Sequence, residues 1–276
     1  MRTDLFQGHD YFNMDDLLTE EQKLIRDAAR AWVKQEVSPI IEEAAEKQVF
    51  PQHLLPGLGE IGAFGPYIPV EYGGAGLDQI SYGLLMQELE RCDSGLRSTA
   101  SVQSSLVMYP IWKYGSEAQK TKYLPKLATG EWIGCFGLTE PDHGSNPGGM
   151  ITSYVEDGDD VILNGAKMWI SNSPFAQIAV VWAKNEEGRI HGLIVERGME
   201  GFTTPTMKGK WSLRASDTGE LIFDNVRVPK ANILPEKSGL GAPLGCLDSA
   251  RYGIAWGAIG AALDCYDTAL RYSKER

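Results

Sequence analysis

Through roughly the first 130 residues, apolar side chains recur at spacings of three and four, the period of a helix with one buried face. Thr19-Glu20-Glu21-Gln22 has the form of a capping box, with Thr19 as N-cap and Gln22 at the third helical position. Leu24, Ala28, Ala31 and Trp32 follow at helical spacing and are expected to share the buried face, and Pro39 should kink or end this helix. A loop region is expected around Pro51, Pro56 and residues 69–76. Further helices are expected over residues 80–91, 97–114 and 117–128. From about Glu131 the pattern shortens to β-rich runs at 132–137, 151–155, 161–163, 178–182, 193–195 and 221–228. Turn residues such as Asp157-Gly158-Asp159 and Asn164-Gly165 separate them, which predicts a compact antiparallel sheet or barrel. After Leu240 the helical period returns, with Ile254, Ala258, Ala261, Cys265 and Ala269 on one face. The small residues between Gly241 and Ala262 would let another helix approach closely. The pattern is still helical at Arg276, so this long helix is expected to lack a partner within the sequence. The fold class is therefore α+β and multidomain. It has a helical region over 1–130, a β domain over 131–238, and over 239–276 the first helix of a C-terminal helical bundle.

At 276 residues and 43% apolar composition the chain can bury a sizeable core. A net charge of −11 argues against nucleic acid or an anionic membrane surface as the main partner, although local cations can still receive phosphates. No apolar run approaches the roughly 18 residues of a membrane span. The first sixteen residues carry four acidic side chains and one Arg, unlike a secretory signal or transit peptide. Cys92, Cys135, Cys246 and Cys265 are widely spaced, which suits buried thiols in a reducing compartment; a cytoplasmic location is expected.

Gly57-Leu58-Gly59-Glu60-Ile61-Gly62 matches the dinucleotide pattern Gly-x-Gly-x-x-Gly letter for letter. That mechanism needs a strand immediately before it, whereas Pro51 and Pro56 precede it and no β-rich run does, so it reads as a helix end and turn. His9, His53, His143 and His191 show no ligand spacing, and no metal is expected. There is no Gly-x-Ser-x-Gly elbow to support hydrolysis. Phe136-Gly-Leu-Thr-Glu-Pro-Asp-His-Gly-Ser-Asn146 ends a strand in a loop rich in Gly, Pro and short polar side chains, the composition that presents backbone N–H groups and hydroxyls to a ligand. Trp169-Ile170-Ser171-Asn172-Ser173-Pro174 ends a second strand about thirty residues later. Glu88-Leu-Glu-Arg-Cys-Asp-Ser-Gly-Leu-Arg-Ser98 by itself reads as a solvated, salt-bridged helix end.

Together these segments resemble the acyl-CoA dehydrogenase family, and within it the glutaryl-CoA dehydrogenases. That likeness is strongest from Glu88 through Met108. The resemblance implies FAD as cofactor, contacted by Phe136, Leu138 and Thr139 on the pyrimidine side and by Trp169, Ile170 and Ser171 near N4 and N5. It implies that Ser145 touches the pantetheine arm of an acyl-CoA. It further implies that Arg97, tuned by Glu90 and flanked by Ser98, receives the distal carboxylate of glutaryl-CoA. Leu244, Leu247 and Arg251 open the last helix, where the family contacts CoA. Three positions depart from the family pattern: His143 stands where a small residue is usual, Asn146 where Asp is usual, and Cys92 where an aliphatic residue is usual.

The resemblance also implies α,β-dehydrogenation of the thioester, loss of CO₂ to give crotonyl-CoA, electron transfer to an electron-transfer flavoprotein, and assembly as a homotetramer. The family's general base, a Glu in a Tyr-Glu-Gly-Thr stretch, and its Arg-x-Gln-Phe-Gly stretch are absent here, and Glu140 is used structurally. No catalytic residue is therefore expected on this chain, which alone should show little dehydrogenase activity. The alternatives are a non-catalytic acyl-CoA-binding module and an acyl-CoA dehydrogenase of different chain specificity.

Overall fold

The computed structural model describes residues 10–276; His9 and the first half of the acidic N-terminal segment lie outside the described residues. α1 (Glu20–Trp32) starts at the expected capping box: Gln22 N–H donates to Thr19 Oγ1 (3.2 Å), and Thr19 N–H to Gln22 Oε1 (3.0 Å). Gln22 Nε2 also donates to Asp78 Oδ2 (2.7 Å), and Asp78 caps α4 (Gln79–Cys92) by accepting from Ser81 N–H. The cap thus fixes two helices against each other, and that crossing chooses the inward face of α1. Gln22, Ala29, Val33 and Val37 are buried, whereas Leu24 is 70% exposed and Ala28 and Ala31 face out. Leu24, Ala28 and Ala31 of the expected stripe therefore face outward and only its last member, Trp32, packs on the core, because both stripes carry apolar residues and contact with α4 decides between them.

A π-helical turn (Val33–Val37) continues α1 to the break at Pro39, and α2 (Ile41–Lys47) follows. The Gly57–Gly62 run lies in the short α3 (Leu55–Glu60) and the turn after it, with Gly62 at φ 71°, and among the described residues no strand precedes it. Pro56, expected in a loop, sits in the first turn of α3, where its missing N–H is no loss. α4 is buried along nearly its whole length, lying between α1 and α8. Its Glu88 is tolerated inside because Arg30 (3.0 and 3.1 Å) and Arg91 (2.8 Å) both donate to it. α5 (Ser94–Ser101), a π-helical segment (Val102–Met108) and α6 (Tyr109–Tyr114) run on as one rod, followed by α7 (Glu117–Ala128).

The strands are β1 (Gly134–Gly137), β2 (Ser153–Asp157), β3 (Asp160–Ser171), β4 (Ile178–Lys184), β5 (Ile190–Glu196), β6 (Phe202–Thr203), β7 (Thr206–Met207) and β8 (Thr218–Pro229). They form one sheet in the order β1-β4-β2-β3-β8-β6, with β5 on β4 and β7 on β8. Most pairs are antiparallel, as expected, but β1 and β4 pair in parallel, as do β2 and β4 at Ser153 and Lys184, so the sheet is mixed. In β4 the even residues Ile178, Val180 and Trp182 join the core shared with the helices. The odd residues Ala179, Val181 and Ala183 join a second core inside the sheet. Both faces are covered, which is why this strand reads as a continuous apolar run.

α8 (Gly241–Glu275) does find a partner within the chain. It packs on α4 through Gly253, Gly257 and Gly260, where a Cβ would meet Tyr82, Glu90 and the Gln87 carbonyl respectively. Of the expected stripe, Ile254, Ala258, Cys265 and Ala269 face outward and Ala261 is half-buried, because close backbone approach favours the glycine face.

Candidate functional site

Two clusters gather the residues singled out in the sequence. The first is built on the sheet. Phe136 and Leu138 are buried at the end of β1, with Phe136 edge-on to Trp182. Met168 N–H donates to the Thr139 carbonyl (2.9 Å), so the loop after β1 lies beside the end of β3. There the β3–β8 register shifts between Lys167 and Ile170, and Trp169 takes a φ of 63°. A left-handed conformation is costly for an aromatic residue, and such strain is held only where the surroundings over-determine it. The bulge re-aims Trp169 so that it is 60% exposed, while Ile170 is buried and Ser171 half-buried. Among the described residues, the hydroxyls of Thr139 and Ser171 make no hydrogen bond. An open indole beside two uncommitted hydroxyls suits a flat, polar-edged ring system.

Beneath this surface lies an ion pair that sequence reading missed. Glu140 and Lys167 are both buried, with Lys167 Nζ donating to Glu140 Oε1 (2.9 Å) and to the Leu138 carbonyl (3.1 Å). Ile151 N–H (2.7 Å) and Thr152 N–H (2.9 Å) complete the shell of Glu140. Burial by itself raises the Glu140 pKa, but these donors outweigh it and hold the group at about 2. Burial also pushes Lys167 down to about 8, against the pull of Glu140. The pair ties both ends of the loop spanning 138–152 to β3, directly before the Trp169 bulge. Its signal was present in the sequence: Val161, Leu163 and Lys167 share the inward parity of one strand, which demands a buried partner for the ammonium. Ser145 stands exposed on that loop, and His143 and Glu140 exchange backbone hydrogen bonds at its turn.

The second cluster is built on helices. Arg97, 9% exposed on α5, donates from Nε to Glu90 Oε2 of α4, and Ser98 lies half-buried beside it. Among the described residues, Arg97 Nη1 and Nη2 donate to nothing. A guanidinium with one edge tied and a two-nitrogen fork unused suits a carboxylate of a ligand. On α8, Leu247 packs at the surface of the shared core, Leu244 is exposed, and Arg251 is exposed and bonded to Asp248 (2.6 Å). No hydrogen bond joins Arg97 or Arg251 to the sheet cluster among the described residues.

The two clusters are linked through the π-helical segment after α5. Buried Gln103 donates to the Leu127 (2.9 Å) and Trp132 (2.8 Å) carbonyls and accepts from Gly134 N–H (2.8 Å). The helix bearing Arg97 is thereby fastened to the start of β1. Nothing in the local pattern marks Gln103, because its partners are remote in sequence. A cavity of about 830 Å³ lies elsewhere, lined by the segment from Asp10 to Leu18 and by residues of α1, α4 and α8. Its lining includes no residue of the sheet cluster and neither Arg97, Glu90 nor Arg251.

The chain matches the acyl-CoA dehydrogenase N-terminal domain over residues 19–131 and the acyl-CoA dehydrogenase middle domain over residues 135–226. The probable acyl-CoA dehydrogenase YngJ of Bacillus subtilis is 39% identical over 267 residues, covering 94% of this chain and 70% of that protein. A glutaryl-CoA dehydrogenase from Mycobacterium smegmatis, solved with FADH2, superposes with a TM-score of 0.93 at 48% identity, over 96% of this chain and 68% of that one. The butyryl-CoA dehydrogenase of Megasphaera elsdenii gives a TM-score of 0.90 at 35% identity, over 94% of this chain and 70% of that one.

Proposed function

The chain belongs to the acyl-CoA dehydrogenase family, and from that premise we propose that it serves FAD-dependent oxidation of an acyl-CoA whose acyl group is dicarboxylic, of the glutaryl type. One observation carries the acyl specificity. Arg97 is nine-tenths buried, its Nε is bonded to Glu90, and its two Nη atoms have no partner among the described residues. A plain fatty acyl chain would leave that fork desolvated and unused, which is costly, whereas a distal carboxylate would engage it bidentately. The 48% identity to a glutaryl-CoA dehydrogenase points the same way.

FAD, when bound, supplies the acceptor for the hydride leaving the β-carbon. Trp169, Ile170 and Ser171 on β3 and Thr139 after β1 would hold its ring system, and the Glu140–Lys167 pair keeps those two segments in register. Ser145, Leu244, Leu247 and Arg251 would meet the CoA portion. Arg97 would fix the carboxylate end, and with it the stretch of acyl chain between carboxylate and thioester. Glu140 is not suited to take the α-proton: three donors already hold its carboxylate, at a pKa of about 2. Glu90 is committed to Arg97. The base is therefore assigned to no residue among 10–276. Oxidation of glutaryl-CoA followed by loss of CO₂ and uptake of a proton would give crotonyl-CoA, with the electrons passing to an electron-transfer flavoprotein.

Equilibrium binding of glutaryl-CoA and butyryl-CoA to the wild type and to Arg97→Gln tests this reading. We expect the substitution to weaken glutaryl-CoA by roughly 100-fold, the worth of two charge-assisted hydrogen bonds, with little change for butyryl-CoA. Equal weakening of both ligands, or of neither, would overturn it.

A further inference from the structure

The helix that closes over Arg97 does so at a glycine. A Cβ at Gly257 would fall inside the van der Waals envelope of Glu90 Oε2, 3.1 Å from Glu90 Cδ and 3.2 Å from Arg97 Nε. The α8 backbone therefore rests directly on the Glu90–Arg97 pair, each member of which is about nine-tenths buried. The crossing cannot ease away locally. One turn to either side, Gly253 and Gly260 hold α8 as closely to α4, where Cβ atoms would strike the Tyr82 hydroxyl and the Gln87 carbonyl.

We propose that Gly257 is a positioning residue for the carboxylate end of the acyl site. This rests on the reading of Arg97 given above. Glu90 is clamped between the bare backbone of α8 and the Nε of Arg97, so the guanidinium is held in one orientation with Nη1 and Nη2 left for ligand. Holding a long, rotamer-rich side chain in its binding geometry before the ligand arrives removes an entropic cost from binding. A methyl group at 257 has to displace Glu90, and because Arg97 is bonded to Glu90, the fork moves with it. The defect is specific: it lies in where Glu90 ends, so a shorter acid should relieve it. Glu90→Asp withdraws the carboxylate by roughly 1.5 Å, about the room a Cβ needs.

The test uses the full chain as wild type, Gly257→Ala and Gly257→Ala/Glu90→Asp. Calorimetric titration with glutaryl-CoA and butyryl-CoA gives the affinity ratio, and thermal melting is followed alongside. We expect Gly257→Ala to lower the wild-type preference for glutaryl-CoA by roughly tenfold or more while butyryl-CoA binding is kept, and the double variant to recover part of that preference. An unchanged ratio in Gly257→Ala overturns the inference, as does equal loss of both ligands that Glu90→Asp does not repair, the signature of a packing defect alone. Should Gly257→Ala fail to fold, the double variant decides: a folded protein with restored preference supports the inference, and any other result overturns it. A wild type with no preference for glutaryl-CoA removes the proposed substrate class, and this inference with it. A wild type that has the preference, with Gly257→Ala retaining it, overturns this inference alone.

Discussion

Among the described residues Trp169 is the one aromatic held at positive φ, at the point where the pairing of β3 with β8 skips from Lys167 to Ile170. A left-handed conformation costs an L-residue about 1–2 kcal/mol, and glycine escapes that cost. Trp169→Gly should therefore leave stability in urea unchanged or slightly raised, while FAD binding, read by quenching of flavin fluorescence, weakens. A large loss of stability with intact flavin binding would show that the bulge serves packing instead. Glu140 gives a second residue-scale prediction. Replacing it by Gln strands the Lys167 ammonium in a buried site and should cost about 3–5 kcal/mol in denaturant unfolding, whereas Glu140→Gln/Lys167→Met together should cost far less. Folding lowers the Glu140 pKa from 4.5 to about 2, so the unfolded chain holds this proton more tightly than the native one. The stabilisation is complete above pH 4.5 and fades as the pH falls towards 2. Glu140→Gln should flatten that part of the stability profile, and an unaltered acid limb would count against the assignment.

At the scale of elements, α1 and α8 teach the same lesson. Each carries two stripes at helical spacing, and in each the less obvious one is buried. In α1 a glutamine leads the inward face, because its amide serves the N-cap and the neighbouring helix at once. In α8 glycines form that face, because they bring the backbones of two helices together. Val33→Ala should accordingly cost about 2 kcal/mol, whereas Leu24→Ala should stay within about 0.5 kcal/mol, measured by the same urea titration. The reverse order would mean that the outer face of α1 is the structural one. Hydrophobic period reliably marks an element and its length. It leaves the choice of face open when apolar residues stand on both sides.

Across the whole molecule, one core runs from Ala29 on α1 through the helices to Trp182 on β4 and Cys246 on α8, so the sheet and the helices share their interior. Urea transitions read by far-ultraviolet dichroism and by tryptophan fluorescence, which includes the buried Trp182, should therefore coincide; two separate midpoints would show that sheet and helices unfold independently. The order of elements, the capping box, the break at Pro39, the helical setting of the Gly57–Gly62 run and the position of the loop after β1 were legible in the sequence. All depend on interactions within a few residues: a cap, a proline ring, a turn, a run of alternating side chains. The parallel β1–β4 pair, the inward faces of α1 and α8, the Glu140–Lys167 pair under the loop, and Gln103 fastening the Arg97 helix to β1 were settled only by the tertiary structure. Each joins side chains or backbones far apart in the chain, and their energies appear only once the shared core has excluded water and brought them into contact.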